Sequence, residues 1–371
     1  MAVQRSVDKV FLGLVITLAI VGVLMFISAS LGVLAKNESK FYGVLFNQIA
    51  LGVIGGVAVM IACIKMDYKH WRKWSFVIFV VSIILTLLVF VPGLGFKHGG
   101  AQRWLSVGPI SLQPAEFLKI AFVIYFAAWL SWVKHRKQDF KFSILPLVIL
   151  LGIIAAVLLK QPDTKSFILI AVAGCAMLFA SGISWKYLVG VVLVGAIGLG
   201  ALTMFTPYLK DRVRTFLDPS HDISGSSYQL NQSMIALGSG GVFGRGYGQS
   251  IQKFSYLPEP QGDSIFAVVG EEFGFVGSTL LILLFVAFAL RGLRIANRAP
   301  DLFSRLLATG IVILLIAQSF LNIASIVGVF PLTGVPLVFI SHGGTSLLLA
   351  LAAVGIVLNI SKYQKKPVEN E

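Results

Sequence analysis

Asp263 stands in the run Tyr256-Leu-Pro-Glu-Pro-Gln-Gly-Asp263, which closes the longest polar stretch of an otherwise apolar chain. A carboxylate kept at the mouth of a helix bundle in lipid is costly, and such groups are retained to bind or to move protons. Other charged residues cluster with spacings that invite chemistry. Glu116 and Lys119 lie three apart in Gln113-Pro-Ala-Glu-Phe-Leu-Lys119, on one helix face. They read equally as a structural ion pair or as a cavity pair in which Lys119 meets an anion from outside. Lys160-Gln-Pro-Asp163-Thr-Lys165 sets an acid between two lysines at a short turn, either functional or merely solvated. Segment 92–113 holds Lys97, His98, Arg103 and Trp104 with no acid. It suits an anionic ligand or a headgroup-anchoring loop with an interfacial Trp.

In the stretch 207–266, Lys210, Arg212, Arg214, Arg245 and Lys253 are balanced by Asp211, Asp218, Asp222, Glu259 and Asp263. Any anion site there must be local. Glu271 and Glu272 follow closely and either bind a proton or cation or pair with nearby bases. Other chemistries are excluded. The glycine run Gly238 to Gly248 follows no strand and lacks a Gly-Lys-Ser/Thr ending, so it is no nucleotide loop. No His/Cys/Glu spacing fits zinc, and nothing fits a Ser-His-Asp triad. Cys63 and Cys175 fall within apolar segments and imply neither disulfide nor metal.

The elements that must position these residues follow from composition. Of 371 residues, 57% are hydrophobic and 12% charged, more apolar surface than a soluble domain could hide. With about 20 apolar residues per crossing, the expectation is an all-α, polytopic membrane protein with ten transmembrane helices. These fall near 10–31, 45–64, 75–92, 114–133, 143–160, 166–182, 187–206, 267–290, 304–328 and 342–361. The first is too long for a signal-peptide core and is kept as a helix. Residues 1–371 read as a single membrane domain with a large external loop, 207–266, between helices 7 and 8. Basic clusters at Lys65 to Lys73, Lys134 to Lys141, Arg291 to Arg305 and Lys362 to Lys366 fall in every second connection, which puts both termini in the cytoplasm. The net charge of +14 is therefore topology and not a nucleic-acid footprint. Phe330 to Gly344 is apolar yet rich in helix breakers. Broken backbone at membrane depth survives where it lines a cavity, here the one Asp263 is expected to face; an ordinary turn is the other reading.

Several long motifs carry a family resemblance. Gly240-Gly-Val-Phe-Gly-Arg-Gly-Tyr-Gly-Gln-Ser250, Tyr256-Leu-Pro-Glu-Pro260, Gly270-Glu-Glu-Phe-Gly-Phe-Val-Gly277, Gln113-Pro-Ala-Glu-Phe-Leu-Lys119 and Thr333 to Gly344 together resemble the SEDS family (shape, elongation, division and sporulation), in wording closer to its FtsW/SpoVE branch than to RodA. The resemblance implies a peptidoglycan glycosyltransferase of the bacterial cytoplasmic membrane. It would polymerise lipid II on the external face beside a class B penicillin-binding protein and other division or elongation proteins, with no nucleic acid. By motif, Asp263 matches the essential loop aspartate, and Glu116, Lys119 and Asp163 match residues of the central cavity. Arg103, Arg212, Arg245 and Lys253 are the cations expected on substrate, with a divalent cation (Mg or Mn) as the other means of holding pyrophosphate. The chain departs from the family wording at Gln261-Gly-Asp263-Ser, at Thr164-Lys-Ser166 and at His342. A lone carboxylate suffices for inversion when the leaving group is a lipid pyrophosphate, because a good leaving group needs charge stabilisation and not a second acid. Such a base should have its pKa raised by an apolar site. A lipid-precursor flippase and a non-catalytic scaffold of the division machinery are the competing readings.

Overall fold

The computed structural model describes residues 6–36, 38–98, 101–107, 110–133, 140–218 and 227–364. Its first crossing is α1 (Lys9–Leu34), capped by the Asp8 carboxylate on the Phe11 amide. The second runs through α2 (Glu38–Phe46), a π-helical stretch Asn47–Gly55 and α3 (Gly56–Lys65). Then follow α4 (Tyr68–Leu88), α5 (Pro114–Trp132), α6 (Phe140–Leu158), α7 (Thr164–Ala180) and α8 (Trp185–Phe205). Short helices α9 (Pro207–Leu217), α10 (Tyr228–Ser239) and α11 (Gln252–Ser255) build the long loop. The chain ends with α12 (Ile265–Asn297), α13 (Leu302–Ile326) and α14 (Gly344–Ser361).

Among the described residues, nine helices are long and apolar enough to cross a membrane, and α7 is a shorter apolar helix at the remaining expected position. The chain is a polytopic, helical membrane protein. Helices α5, α13 and α14 are the most enclosed, while α8 is the least, with no described residue of its span buried. The all-α expectation omits one feature. Between α4 and α5 lies an antiparallel sheet of β1 (Gly95–His98), β2 (Ala101–Val107) and β3 (Ile110–Leu112), with β2 in the centre. Amides between two spans must find partners, and in a segment this short strand pairing supplies them.

Two breaks in helical regularity shape the external half. Gly274 interrupts α12 with φ 64° and ψ −161°. The amides freed there and in the glycine loop bond across: Phe275 N to Gly241 O at 2.9 Å, Val276 N to Val242 O at 3.1 Å, and Arg245 N to Glu271 O at 3.0 Å. Only glycine fits, since a Cβ on Gly274 would lie 2.4 Å from the Gly244 nitrogen. The second break is the segment between α13 and α14. It reaches the middle of α1, where Gly22 packs so closely on the Phe339 carbonyl that a Cβ would sit 2.1 Å from that oxygen. Its backbone is satisfied by protein, as irregular chain at membrane depth requires.

Candidate active site

The site is organised around Gly334, whose φ of +63° turns the chain between α13 and α14 toward the long loop. A Cβ built on Gly334 would lie 3.2 Å from Asp263 Oδ2, 3.7 Å from Arg212 Nη2 and 4.0 Å from Lys165 Nζ. Three distant stretches of sequence thus bring one carboxylate and two cations to one point. Asp263 arrives there from the loop that ends at the N-terminus of α12. Its Oδ1 accepts a hydrogen bond from Gln229 Nε2 of α10 at 3.1 Å, and Gln229 also donates to Ser264 Oγ at 3.0 Å. Its carbonyl accepts from Asn322 Nδ2 of α13 at 2.7 Å, and the same amide donates to Val335 O at 2.7 Å. Asn322 therefore ties the carboxylate loop to the Gly334 segment. Burial pushes the Asp263 carboxyl above its ordinary value; nearby Glu259 adds to the rise, and Lys165 and the Gln229 hydrogen bond oppose it.

Beside Asp263 opens a cavity of about 180 Å³ lined by Arg103, Lys165 and Arg212 together with Thr164, Tyr208 and Thr333. No acid lines it. Its cations rest on backbone carbonyls and not on carboxylates. Arg103, held by β2, donates through Nε to Gln161 O at 3.1 Å and through Nη2 to Pro162 O. Arg212 of α9 donates to Leu332 O and packs 4.4 Å over the Tyr208 ring. Lys165 of α7 donates to Gly334 O. Three cations face this cavity and no ion pair holds them among the described residues, an arrangement suited to a polyvalent anion.

The remaining candidates sort into different roles. Glu116 and Lys119 form a buried pair at 2.8 Å; Lys119 also donates to Gln318 Oε1 at 2.6 Å, and Ser346 Oγ donates to Glu116 Oε2 at 3.0 Å. Gln318 in turn donates to Pro336 O at 3.2 Å, so this pair buttresses the Gly334 segment from below. Asp163 is fully buried and caps α7, accepting from Ser166 Oγ at 2.8 Å and Ser166 N at 3.4 Å. Arg245 and Lys253 join a separate network. Lys253 Nζ donates to Glu272 Oε1 at 2.7 Å, to Ser28 Oγ at 2.9 Å and to Gly248 O at 2.9 Å, while Arg245 lies 3.7 Å from Glu271. Glu271 also accepts from Ser250 Oγ and Ile251 N. Both glutamates are thus paired, and the network clamps the glycine loop on α1 and on the α12 kink. Lys97 and His98 belong to β1.

Sequence reasoning missed Lys165, Gln229, Gln318 and Asn322 as members of the site. Gln318 and Asn322 left a readable signal, two carboxamides one helical turn apart in a mostly apolar span. Lys165 was visible as the second lysine flanking Asp163. Gln229, in a polar loop, left none.

The same chain matches known proteins over nearly its whole length. A family model described as a cell cycle protein, FtsW/RodA/SpoVE, matches residues 8–366. Stage V sporulation protein E of Bacillus subtilis strain 168 is 37% identical over 364 residues, 98% of this chain and 99% of that one. The probable peptidoglycan glycosyltransferase FtsW of Trichlorobacter lovleyi is 39% identical over 354 residues, 95% of this chain and 93% of its own. Among solved structures, a chain from work on coordination of polymerization and crosslinking by a peptidoglycan synthase complex superposes with a TM-score of 0.78 at 25% identity, covering 97% of this chain and 99% of that one. Rod shape determining protein RodA of Thermus thermophilus superposes with a TM-score of 0.71 at 24% identity, covering 97% and 98%. A match this long in sequence and fold, on motifs worded like FtsW and SpoVE, means that the chain belongs to the FtsW/RodA/SpoVE family.

Proposed function

We propose that this chain is an inverting peptidoglycan glycosyltransferase that polymerises lipid II at the external face of the bacterial cytoplasmic membrane. The observation that carries the reading is the Asp263 carboxylate brought to one point with Lys165 and Arg212, beside a cavity whose described lining is cationic. Asp263 takes the proton of the acceptor sugar hydroxyl. That oxygen attacks the donor anomeric carbon from the face opposite the leaving group, and the bond to the lipid pyrophosphate breaks with its electron pair passing to phosphate oxygen. Arg103 and Arg212 hold the pyrophosphate, where fixed donors stabilise charge as it develops. Glu116, Lys119 and Asp163 act at one remove, by shaping the backbone on which these groups stand.

The basic clusters in every second connection support an external position for the Asp263 end of the bundle. The partner that fits a polymerase of this kind is a class B penicillin-binding protein, which would crosslink the strands. A divalent cation fits poorly here. Among the described residues no three His, Cys, Asp or Glu side chains come together, and Asp263 already faces two protein cations. No step is assigned to a metal.

The purified chain, given lipid II in detergent with and without a class B penicillin-binding protein, should make glycan polymer. A flippase would make none, since detergent leaves no membrane to cross, and a scaffold would make none under either condition.

A further inference from the structure

We propose that Lys165 is a catalytic residue of this transferase, a mobile cation that passes from the Gly334 carbonyl to the departing pyrophosphate as Asp263 is protonated. The inference rests on the glycosyltransferase reading and adds to it a group that the motifs do not supply. Lys165 forms no ion pair within 4.0 Å among the described residues, although the Asp163, Asp263 and Glu116 carboxylates and the Arg103 guanidinium all act on it. Asp163 is engaged with Ser166, so the ammonium rests on one carbonyl and keeps donors to spare. It lines the anion cavity and stands beside the base, which neither arginine does with the same freedom. Arg103 is anchored on two carbonyls, and Arg212 is anchored on one and stacked on Tyr208. A lysine is a compact charge on a flexible stem, free to follow a moving anion.

Charge does move in this reaction. Before transfer the Asp263 carboxylate is one of the negative charges acting on Lys165, alongside Asp163 and Glu116. The acceptor O–H bond breaks and its proton goes to Asp263 Oδ2; the acceptor oxygen bonds the anomeric carbon; the old bond from that carbon to phosphate oxygen breaks, and its electron pair stays on the pyrophosphate. Atoms and charge balance, with one unit of negative charge transferred from Asp263 to the leaving group. An ammonium between the two loses its attraction to the first as it gains one to the second. Stabilisation that appears only as the leaving group departs raises kcat without tightening the ground state.

The primary test is Lys165→Gln, which keeps a donor for the Gly334 carbonyl and removes only the charge. Expected is a kcat lowered by about 10²-fold, the scale of losing one such donor, with KM for lipid II changed by less than about threefold. The acid limb of the pH–rate profile should also move upward. Losing the Lys165 charge leaves burial and Glu259 raising the Asp263 pKa against the Gln229 and backbone hydrogen bonds, so the limb moves only if the lysine carries its charge beside the base. Lys165→Arg should recover much of kcat. Should Lys165→Gln fail to fold in detergent, Lys165→Met is read by the same two measurements. A kcat within about threefold of the parent, or an acid limb that stays in place, overturns the proposal. A normal Lys165→Gln beside an inactive Asp263→Asn sinks only the lysine's role, and an active Asp263→Asn sinks the parent reading.

Discussion

Asp263 is held in a setting that serves a base and costs the fold. Its raised pKa means that the folded state binds this proton more tightly than the unfolded chain does. Stability from this group is therefore present at low pH and lost as pH rises from the unfolded value of about 3.9 through the folded one. Two outcomes follow from the sign. The polymerisation rate should fall on acidification through a pKa above the ordinary aspartate range, seen in a pH–rate profile. At pH 7, Asp263→Asn should be at least as stable as the parent in a detergent unfolding experiment, because it removes an unfavourable buried charge. Glu116 and Lys119 should behave in the opposite way. Lys119→Met strands a buried carboxylate, at a cost of about 3–5 kcal/mol. The double change Glu116→Gln/Lys119→Met should recover most of that loss, and equal stabilities of single and double variants would contradict the pairing. Glu116 and Lys119 were legible in sequence because charges inside an apolar span are conspicuous, and Asp263 because it closes the longest polar stretch of the chain. Lys165 was seen only as a flanking lysine, because its neighbours in space, Gly334 and Arg212, lie far along the chain.

At the scale of elements, α13 holds the site together through Gln318 and Asn322, which bond the carbonyls of Pro336, Val335 and Asp263. Removing the Asn322 amide leaves two buried carbonyls without this donor. Asn322→Leu should cost about 2–4 kcal/mol, taking ~1–2 for each lost bond, and should lower kcat with it as Asp263 loses its backbone anchor. Thermal unfolding in detergent and turnover of the same sample check both. The helix-breaking segment after α13 could be read in advance as lining a cavity, since Pro and Gly in an apolar run are hard to explain otherwise. Its hold on α13 could not, because a carboxamide does not announce which carbonyl it serves. The small sheet that carries Arg103 was equally hidden, since three strands of seven residues or fewer leave little periodicity. The π-helical stretch at Asn47–Gly55 had no readable signal either.

At the scale of the molecule, hydropathy placed the apolar helices to within a few residues, apart from the earlier starts at Glu38 and Tyr68 and the longer α12; among the described residues nine are long enough to cross, and α7 is shorter. That is where sequence speaks most directly, because lipid imposes length and the cytoplasm retains Lys and Arg. The arrangement of the long loop was less legible. Arg245 and Lys253 were read as substrate cations, yet they lie with Glu271 and Glu272 and not beside Asp263. Sidedness has its own check. In a chain with Cys63 and Cys175 replaced by Ser, exposed Gln249→Cys should react with a membrane-impermeant thiol reagent in intact cells, and exposed Asn297→Cys should not. The reverse pattern would put Asp263 on the cytoplasmic side. The central claim, that Asp263 is the base of a lipid II polymerase, is tested most directly by turnover of purified Asp263→Asn beside the parent chain, each with lipid II and a class B penicillin-binding protein. The variant should be folded and slower by about 10²–10⁴-fold, the range for removing a general base; turnover near that of the parent would contradict the account.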